Sequence, residues 1–336
     1  MSIQQMFLGV GAGDLNPREH FDVKLYTGNG NSNNAQTGLN FSPDFAWLKP
    51  RSAGYSHNLY DTIRGDNKRL VSNATSAEQT VGFEFQSNGF DPTGSNDNST
   101  TYVTWAWDAG GSTVSNTDGS ITSSVRANTD AGFSIVSYTG NGTAGATVGH
   151  GLNAEPFFIF SKNRVDDASV GGQWYTYHKS LGNNKALQLQ SNLAAFSTSA
   201  MNSTTPTSSV FARGSFTAVN KSGDDYIAYC FAPVAGFSKF GTYSGGTNPK
   251  VITCGFEPTF VIIRRTDSGN HWIMVDSERG GTMKLGADES VAENDSNTVG
   301  SASQNIVVFE SDGFKLTTTD AGTNTSGGTY VYAAWA

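Results

Sequence analysis

Pro156-Phe-Phe-Ile-Phe-Ser-Lys162 is an apolar stretch, opened by a proline and closed by a base, that decides the fold because the chain contains three versions of it. The other two are Pro43-Asp-Phe-Ala-Trp-Leu-Lys49 and Pro258-Thr-Phe-Val-Ile-Ile-Arg264. Proline lacks a backbone N–H and therefore suits the first position of a strand. Apolar side chains recur at every second position, so each stretch is predicted to be a strand with one face in the core.

Two further landmarks keep the same order around each of these stretches. A glycine-rich motif precedes each one, as Tyr26-Thr-Gly-Asn-Gly30, Tyr138-Thr-Gly-Asn-Gly142 and Tyr243-Ser-Gly-Gly246. An aromatic strand follows later, as Tyr102-Val-Thr-Trp-Ala-Trp107, Tyr226-Ile-Ala-Tyr-Cys-Phe231 and Tyr330-Val-Tyr-Ala-Ala-Trp335. Because no helix pattern follows the glycine-rich motif, we interpret it as a turn and not as a phosphate-binding loop. Ordered landmarks at a fixed period indicate an internal repeat.

Composition favours strands and tight turns in each repeat. Charged residues are only 15% of the 336, whereas glycine contributes 39 residues and aromatics 12%. Repeats of roughly 100 residues have the size of a β-sandwich. The prediction is therefore an all-β protein of three tandem antiparallel β-sandwich repeats, jelly-roll-like, with a short N-terminal arm. The expected segments are a docking arm (1–20), a first unit (21–111), a bridging hairpin (112–132), a second unit (133–236) and a third unit (237–336).

Charge and cysteine content exclude several classes of protein. The net charge is −8 and no run of Lys or Arg occurs, which argues against a nucleic-acid partner. No apolar stretch is long enough for a membrane-spanning helix, so no membrane insertion is expected. Cys230 and Cys254 form neither a disulfide framework nor a metal-ligand cluster. We therefore predict no metal and no cofactor.

Few residues suggest chemistry. Asp61 with Arg64 and Asp276 with Arg279 occupy matching places in the first and third units. They are interpreted as structural turn pairs. Ligand binding is the alternative, because Arg can bind a carboxylate with two hydrogen bonds. The histidines have no repeated Ser or Asp partner, so no catalytic residue is assigned and no enzyme activity is predicted. Paired carboxylates that meet only in the fold are the open alternative.

Two sets of residues are candidates for contact with other molecules. The apolar side chains of the arm, Ile3, Met6, Phe7 and Leu8, are expected to dock on other proteins. Polar loops with scattered aromatics suit stacking on sugars, and the candidate surface-contact residues there are Tyr55, His57 and Trp174. His57 also aligns with Trp174 and Trp272, so a buried aromatic position is the other reading for it.

Several segments resemble a repeat found in tail and tail-fibre proteins of bacteriophages, especially marine ones. The segments are 116–142, Val148-Gly-His-Gly-Leu152, Trp174-Tyr-Thr-Tyr-His178, Ser208-Ser-Val-Phe211, Asp225-Tyr-Ile-Ala-Tyr-Cys-Phe-Ala232 and, in the first unit, Ser42-Pro-Asp-Phe-Ala-Trp-Leu-Lys49. The resemblance covers about 21–336. It implies a concanavalin- or SPRY-like antiparallel sandwich for each repeat and brings no catalytic residues with it.

The resemblance also sets the functional expectation. It implies a virion protein, assembled in the host cytoplasm and released by lysis. The first hypothesis is a tail-fibre or receptor-binding component that contacts a host-surface glycan or protein without catalysis. The alternatives are a capsid decoration or head-fibre protein anchored to other virion proteins by its arm, and a polysaccharide depolymerase. A homo-oligomer is expected because viral appendages are symmetric.

Overall fold

The structure is a computed structural model that describes residues 15–165, 171–281, 283–293 and 306–336. Strands make up 41% of it and helices 3%, so the all-β prediction is confirmed. In the described ranges, the helical pieces are two short 3₁₀ turns and one α-helix of a single turn, Pro17–Glu19, Lys179–Leu181 and Thr217–Asn220. Among the described residues, no helix has the length and apolar character needed to cross a membrane.

The first unit contributes one large and one small antiparallel sheet. Its strands are β1 (Phe21–Thr27), β2 (Gln36–Thr37), β3 (Phe45–Pro50), β4 (Asn58–Asp61), β5 (Lys68–Val71), β6 (Gln79–Thr80), β7 (Glu84–Gln86), β8 (Gly89–Asp91) and β9 (Thr101–Trp107). The first large sheet has the order β1-β9-β3-β4-β5-β6, and the first small sheet is β2-β8-β7.

The bridging hairpin and the second unit form the second large sheet. The strands are β10 (Val114–Asn116), β11 (Ser123–Asn128), β12 (Phe133–Thr139), β13 (Ala146–Gly149), β14 (Phe158–Asn163), β15 (Tyr175–His178), β16 (Lys185–Ala186), β17 (Phe196–Ser197), β18 (Val210–Arg213) and β19 (Asp225–Phe231). The large sheet has the order β10-β11-β12-β19-β14-β15. Two small pairs, β13-β18 and β16-β17, accompany it.

The third unit repeats this arrangement without the hairpin. Its strands in the described residues are β20 (Ser238–Ser244), β21 (Lys250–Thr253), β22 (Phe260–Arg265), β23 (Trp272–Asp276), β24 (Leu285–Gly286), β25 (Val307–Glu310), β26 (Gly313–Leu316) and β27 (Thr329–Trp335). The large sheet has the order β20-β27-β22-β23-β24, and the small sheet is β21-β26-β25. The orders β1-β9-β3-β4, β12-β19-β14-β15 and β20-β27-β22-β23 place corresponding sequence landmarks in corresponding positions.

Residues 112–132 form a hairpin in which β10 pairs with β11. Strand β11 also pairs with β12, so the hairpin extends the second large sheet at its edge. Arg126 Nε lies 2.9 Å from Asp44 Oδ1 in the first unit. The hairpin therefore belongs to one sheet by pairing and contacts the neighbouring unit by an ion pair.

All three large sheets bury one face in a single hydrophobic core. Alternate residues of β3, β14 and β22 point into it, as the period-two pattern predicts: Phe45, Trp47, Phe158, Phe160, Phe260 and Ile262. All six tryptophans of the chain belong to this shared core: Trp47, Trp105, Trp107, Trp174, Trp272 and Trp335. The shared core contains side chains from every unit, so no unit could keep its inner face buried alone.

The middle of the shared core is an aromatic triangle. Trp107, Phe231 and Trp335 are the last residues of β9, β19 and β27. The ring centroids of Trp107 and Trp335 are 5.6 Å apart, those of Phe231 and Trp335 are 5.3 Å apart, and those of Trp107 and Phe231 are 6.2 Å apart. Equivalent residues of three sheets thus meet at one point, in the edge-to-face geometry that aromatic pairs favour.

The outer face of each large sheet is also buried. Residues of β22 that alternate with the inward ones, Val261 and Ile263, pack with Ile252 of β21 and Phe314 of β26. Similar outer clusters cover the second sheet and the first sheet. Burial on both faces explains why β3, β14 and β22 read as nearly continuous apolar runs.

The glycine-rich motif of each unit is a turn held by a buried asparagine far along the chain. Asn29 N donates to Asn96 Oδ1 (2.9 Å), and Asn141 N donates to Asn220 Oδ1 (2.9 Å). A Cβ on Gly28 would lie 2.1 Å from Asp97 O, so this position requires glycine. These contacts support the turn interpretation and fix the backbone of residues 95–97.

Candidate functional site

A cleft of about 310 Å³ opens at one end of the first large sheet. It lies where β3 ends and where β4 and β9 begin. Its lining residues are Pro50, Tyr55, Ser56, Asn58, Arg69, Gly94, Ser95, Asp97 and Tyr102. This volume is at the lower end of the range of small-molecule sites. The cleft combines an aromatic ring with convergent polar groups, which makes it a candidate binding site.

Tyr55 is the exposed aromatic of the cleft, with 54% of its surface accessible. It lies in the loop 51–57, which is held at several points. Thr101 N donates to Ser52 Oγ (3.0 Å), and Lys49 Nζ donates to Ala53 O (3.3 Å). The buried side chain of Lys49 positions this loop. Lys49 is also the basic residue that ends the first apolar stretch. The loop therefore presents Tyr55 from a fixed backbone.

Arg69 supplies the positive charge of the cleft. Its Nη1 donates to Asn58 Oδ1 at 3.4 Å, and its Nη2 donates to Gln79 Oε1. Its Nε is shielded from solvent and has no hydrogen-bond partner among the described residues. Asn58 in turn donates from Nδ2 to Ser95 Oγ (3.0 Å). The guanidinium is thus oriented by neutral amides.

The opposite side of the cleft offers acceptors. Asp97 is exposed, and its backbone N–H donates to the phenol oxygen of Tyr102 (2.9 Å). Burial raises the pKa of Tyr102, so its phenol stays protonated at neutral pH. Tyr26 donates from its hydroxyl to Ser95 O (2.8 Å), which fixes this wall from below. Donors and acceptors therefore face the same space.

The other two units differ from the first at the positions that form the cleft. Asn163 occupies the place of Pro50 in the second unit, where its Nδ2 donates to Asp224 Oδ2 (2.8 Å) and Tyr226 OH (3.2 Å). Arg265 occupies it in the third unit and pairs with Asp267 (2.9 Å). Proline has no polar side chain to place there. The first unit therefore leaves Tyr102 facing an open space.

Of the three predicted surface-contact residues, the structure exposes Tyr55 and buries the other two. His57 is fully buried, and its Nδ1 accepts a hydrogen bond from Trp47 Nε1 (2.9 Å). Trp174 is also fully buried in the shared core, where its Nε1 donates to Val71 O (2.8 Å). The surface-contact prediction is wrong for both. Their alignment with Trp272, which is buried as well, reflects an inward position that every unit repeats.

Both Asp–Arg pairs are buried turn pairs that also connect neighbouring units. Arg64 N donates to Asp61 Oδ1 (2.8 Å), and Arg279 N donates to Asp276 Oδ1 (2.8 Å). Tyr229 of the second unit donates from its hydroxyl to Asp61 Oδ2 (2.7 Å). Burial and partners of this kind leave no surface for a ligand, which fits the structural interpretation.

A glutamate, Glu78 or Glu293, also joins the two units at each of these junctions. We call the short segment around each glutamate a strap. Glu78 accepts hydrogen bonds from Arg64 and Arg164, and Glu293 accepts them from Arg279 and Arg51. Backbone hydrogen bonds of equal length run from Glu78 N to Arg164 O (2.8 Å) and from Glu293 N to Arg51 O (2.8 Å). At the third junction Ala195 N donates to Thr266 O (2.9 Å) instead. The three units are therefore joined in a closed ring.

The predicted arm lies mostly outside the described residues. Ile3, Met6, Phe7 and Leu8 are among the residues that the structure does not describe. Of the segment 1–20, the described part contains Leu15, which packs against the shared core, and the 3₁₀ turn Pro17–Glu19. The docking role of the arm stays a prediction.

The described part of the chain offers few groups for catalysis or metal binding. Three or more His, Cys, Asp or Glu side chains do not come together there in a group that could hold a metal ion. Among the nine lining residues of the cleft, Asp97 is the one carboxylate. Glycoside hydrolysis by the common route uses two. The arrangement can bind a polar ligand through stacking and hydrogen bonds.

Asn58, Arg69 and Asp97 were not predicted from the sequence as site residues. Their signal is the difference between units at aligned positions. Counting from the aligned leucines Leu70, Leu187 and Leu285, the preceding residue is Arg69, Ala186 or Lys284. A repeat that keeps its core and changes a few surface positions in one copy identifies those positions as candidates for a site.

A comparison with known protein families identifies the family of this chain. A family described as a domain of unknown function, DUF7483, has a model that matches residues 16–336. The chain belongs to this family. No curated protein matches it. The DUF7483 description states no activity, so the resemblance to phage tail-fibre proteins stays a prediction for this member.

Proposed function

We propose that this DUF7483 protein is a non-catalytic structural component of a bacteriophage virion, a tail-fibre or receptor-binding protein that binds a host-surface glycan. The observation that carries this proposal is the cleft with Tyr55 at its mouth. An exposed aromatic ring on a fixed loop can stack on the apolar face of a sugar. Arg69 donors and the acceptors of Ser95 and Asp97 suit the hydroxyl groups around such a ring.

The absence of a second carboxylate among the lining residues supports binding without hydrolysis. A depolymerase of the usual kind would need an acid and a base or nucleophile on opposite sides of the bond. As the one carboxylate among the lining residues, Asp97 can accept hydrogen bonds from sugar hydroxyls. It has no partner there that could take the second role.

We also propose that residues 21–336 are three copies of one antiparallel β-sandwich module. The equal strand orders, the outer clusters and the ring of junctions support this reading. A rigid body with three related units is a suitable scaffold for a virion appendage, because a change in one unit can create a site without disturbing the shared core. The cleft of the first unit is such a change.

Glycan binding is tested with the purified protein and polysaccharide extracted from host envelopes. Titration calorimetry should give a measurable Kd for the wild type and at least tenfold weaker binding for Tyr55→Ala, because the stacking surface is lost. Val251→Ala removes an equally exposed apolar side chain from the third unit and serves as the control. Binding that survives Tyr55→Ala unchanged would contradict the assignment of the cleft.

Electron microscopy of particles labelled with an antibody against this protein tests the virion assignment. Label on the tail supports the receptor-binding role. Label on the head would instead favour capsid decoration, and label on no particle would overturn the virion proposal. If the purified protein released reducing sugar from the polysaccharide, a depolymerase would replace the non-catalytic receptor-binding protein as the proposed function.

A further inference from the structure

The arginines of the described residues divide by how their charge is balanced. Most of them have a carboxylate within 4 Å: Arg51, Arg64, Arg126, Arg164, Arg265 and Arg279. Arg69 has no such partner in the part of the chain that the structure describes. Its contacts are the amide oxygens of Asn58 and Gln79. The positive charge of Arg69 is therefore solvated by dipoles and is not neutralised.

Three other described arginines have no carboxylate within 4 Å: Arg18 is exposed to solvent, and Arg213 and Arg264 are explained by their surroundings. Arg213 lies against the rings of Phe211 and Tyr138, with its guanidinium carbon 4.4 Å and 5.8 Å from the two ring centroids. Arg264 lies over the ring of Trp272 and donates to backbone carbonyls of the second unit. Both are enclosed in the protein. Arg69 differs from these three because it is half-buried and lines the cleft at the end of the first large sheet.

The two walls of the cleft therefore differ in charge. Arg69 makes one wall cationic, and Asp97 is an exposed carboxylate that forms no ion pair with it among the described contacts. A half-buried guanidinium attracts an anion more strongly than a fully solvated one, because the surrounding dielectric is lower. Arginine also matches the planar geometry of a carboxylate. A ligand with an acid group at one end and hydroxyls at the other would satisfy both walls.

We propose that the cleft binds an acidic saccharide, with the sugar carboxylate at Arg69, the ring against Tyr55 and the hydroxyls toward Ser95 and Asp97. This inference rests on the proposed glycan binding and names its ligand class. The same orientation keeps the acid group away from Asp97, whose charge would repel it. A neutral sugar would leave the charge of Arg69 unbalanced.

The test uses three acidic polymers, polygalacturonate, hyaluronate and polysialate, each beside its carboxyl-reduced form. The reduced polymer keeps the backbone and loses the charge. We expect the wild type to bind at least one acidic polymer tenfold or more tightly than its reduced form, with an affinity that falls as salt rises. Arg69→Gln should remove this preference, and Arg69→Lys should keep part of it, because a charge remains without the planar fork.

Lys68→Gln is the matched control, since it removes the same charge from the neighbouring position, which does not line the cleft. It should leave the preference for the acidic form intact. Equal binding of acidic and reduced polymers, or a preference that survives Arg69→Gln, would overturn the acidic-ligand inference and leave glycan binding standing. Failure to bind any of the six polymers and the host polysaccharide would count against the proposed function itself.

Discussion

A buried base closes the central apolar strand of every unit, and its role is to hold a loop. Lys49 Nζ donates to Pro50 O (2.6 Å), Lys162 Nζ donates to Thr75 O (3.0 Å), and Arg264 donates to Ser191 O (3.4 Å). All three side chains are fully buried. Burying a charge is costly unless the ammonium or guanidinium finds acceptors. In every unit, the buried base thus donates to backbone carbonyls at or beyond the end of its strand.

Lys49 gives the protein a pH dependence that can be measured. Burial lowers its pKa to about 7, with a smaller contribution from the nearby Arg279, whereas an unfolded lysine has a pKa near 10.4. Between these values the unfolded chain binds one more proton than the folded chain, so stability rises with pH. We expect the free energy of unfolding of the wild type, relative to Lys49→Met, to increase by about 2–4 kcal/mol from pH 7 to pH 10.

The measurement is urea denaturation of both proteins at several pH values. The difference between the two curves isolates Lys49 from the other titrating groups. It should be flat below pH 6, where the lysine is charged in both states. A difference that stays constant across the whole range would show that Lys49 keeps an ordinary pKa in the fold.

At the scale of elements, the straps between units carry charge networks that can be compared directly. Glu78 and Glu293 occupy equivalent places, and each bonds two arginines. One difference separates them. The strap with Glu293 lies against the loop 51–57, since Arg51 donates to Glu293 Oε2 (2.9 Å) and a Cβ on Gly54 would lie 3.1 Å from Ser290 O. This strap supports the loop that carries Tyr55.

We therefore expect Glu293→Gln and Glu78→Gln to have similar costs in stability and different effects on binding. Each change leaves one arginine, Arg51 or Arg164, without its carboxylate, while Arg279 and Arg64 keep Asp276 and Asp61, and should lower the free energy of unfolding by about 1–3 kcal/mol. Only Glu293→Gln should also weaken glycan binding several-fold, because the loop 51–57 loses an anchor. Denaturation and titration calorimetry measure the two effects. Equal binding by both variants would show that the strap does not position Tyr55.

Much of the element level was predictable from sequence, because strand alternation and turn chemistry are local. The alternating residues Phe45 and Trp47 face the core as predicted. The Asn-Gly step at 88–89 joins β7 to β8, and the Asp-Gly step at 312–313 joins β25 to β26. The surface-contact prediction was wrong for His57 and Trp174, because a polar loop beside an aromatic residue does not show which way the ring points.

At the scale of the whole molecule, the shared core could not be predicted from the sequence. Strands of a sheet that is buried on both faces have nearly continuous apolar runs. Such a run indicates that the strand is buried, but it does not show which segment packs against it. The ring of junctions also depends on residues far apart, such as Glu293 with Arg51. The cleft escaped detection for the same reason, since Tyr55, Arg69 and Asp97 meet only after folding.

The shared core has a thermodynamic consequence. Each unit leaves aromatic side chains in contact with the other two, so the unfolding of one unit exposes core surface of its neighbours. Domains with separate cores unfold in separate steps, whereas one core favours a single cooperative transition. We expect the three large sheets to unfold as one, despite a chain length of 336 residues.

Native-state hydrogen exchange on the wild type and Trp107→Phe tests this claim most directly. Trp107 belongs to the first unit and lies in the aromatic triangle with Phe231 and Trp335. The shared core predicts that the slowest amides of β9, β19 and β27 exchange with one free energy of opening, and that the substitution lowers all three by the same amount, about 1–2 kcal/mol. Loss of protection in β9 alone, with β19 and β27 unchanged, would contradict a single core.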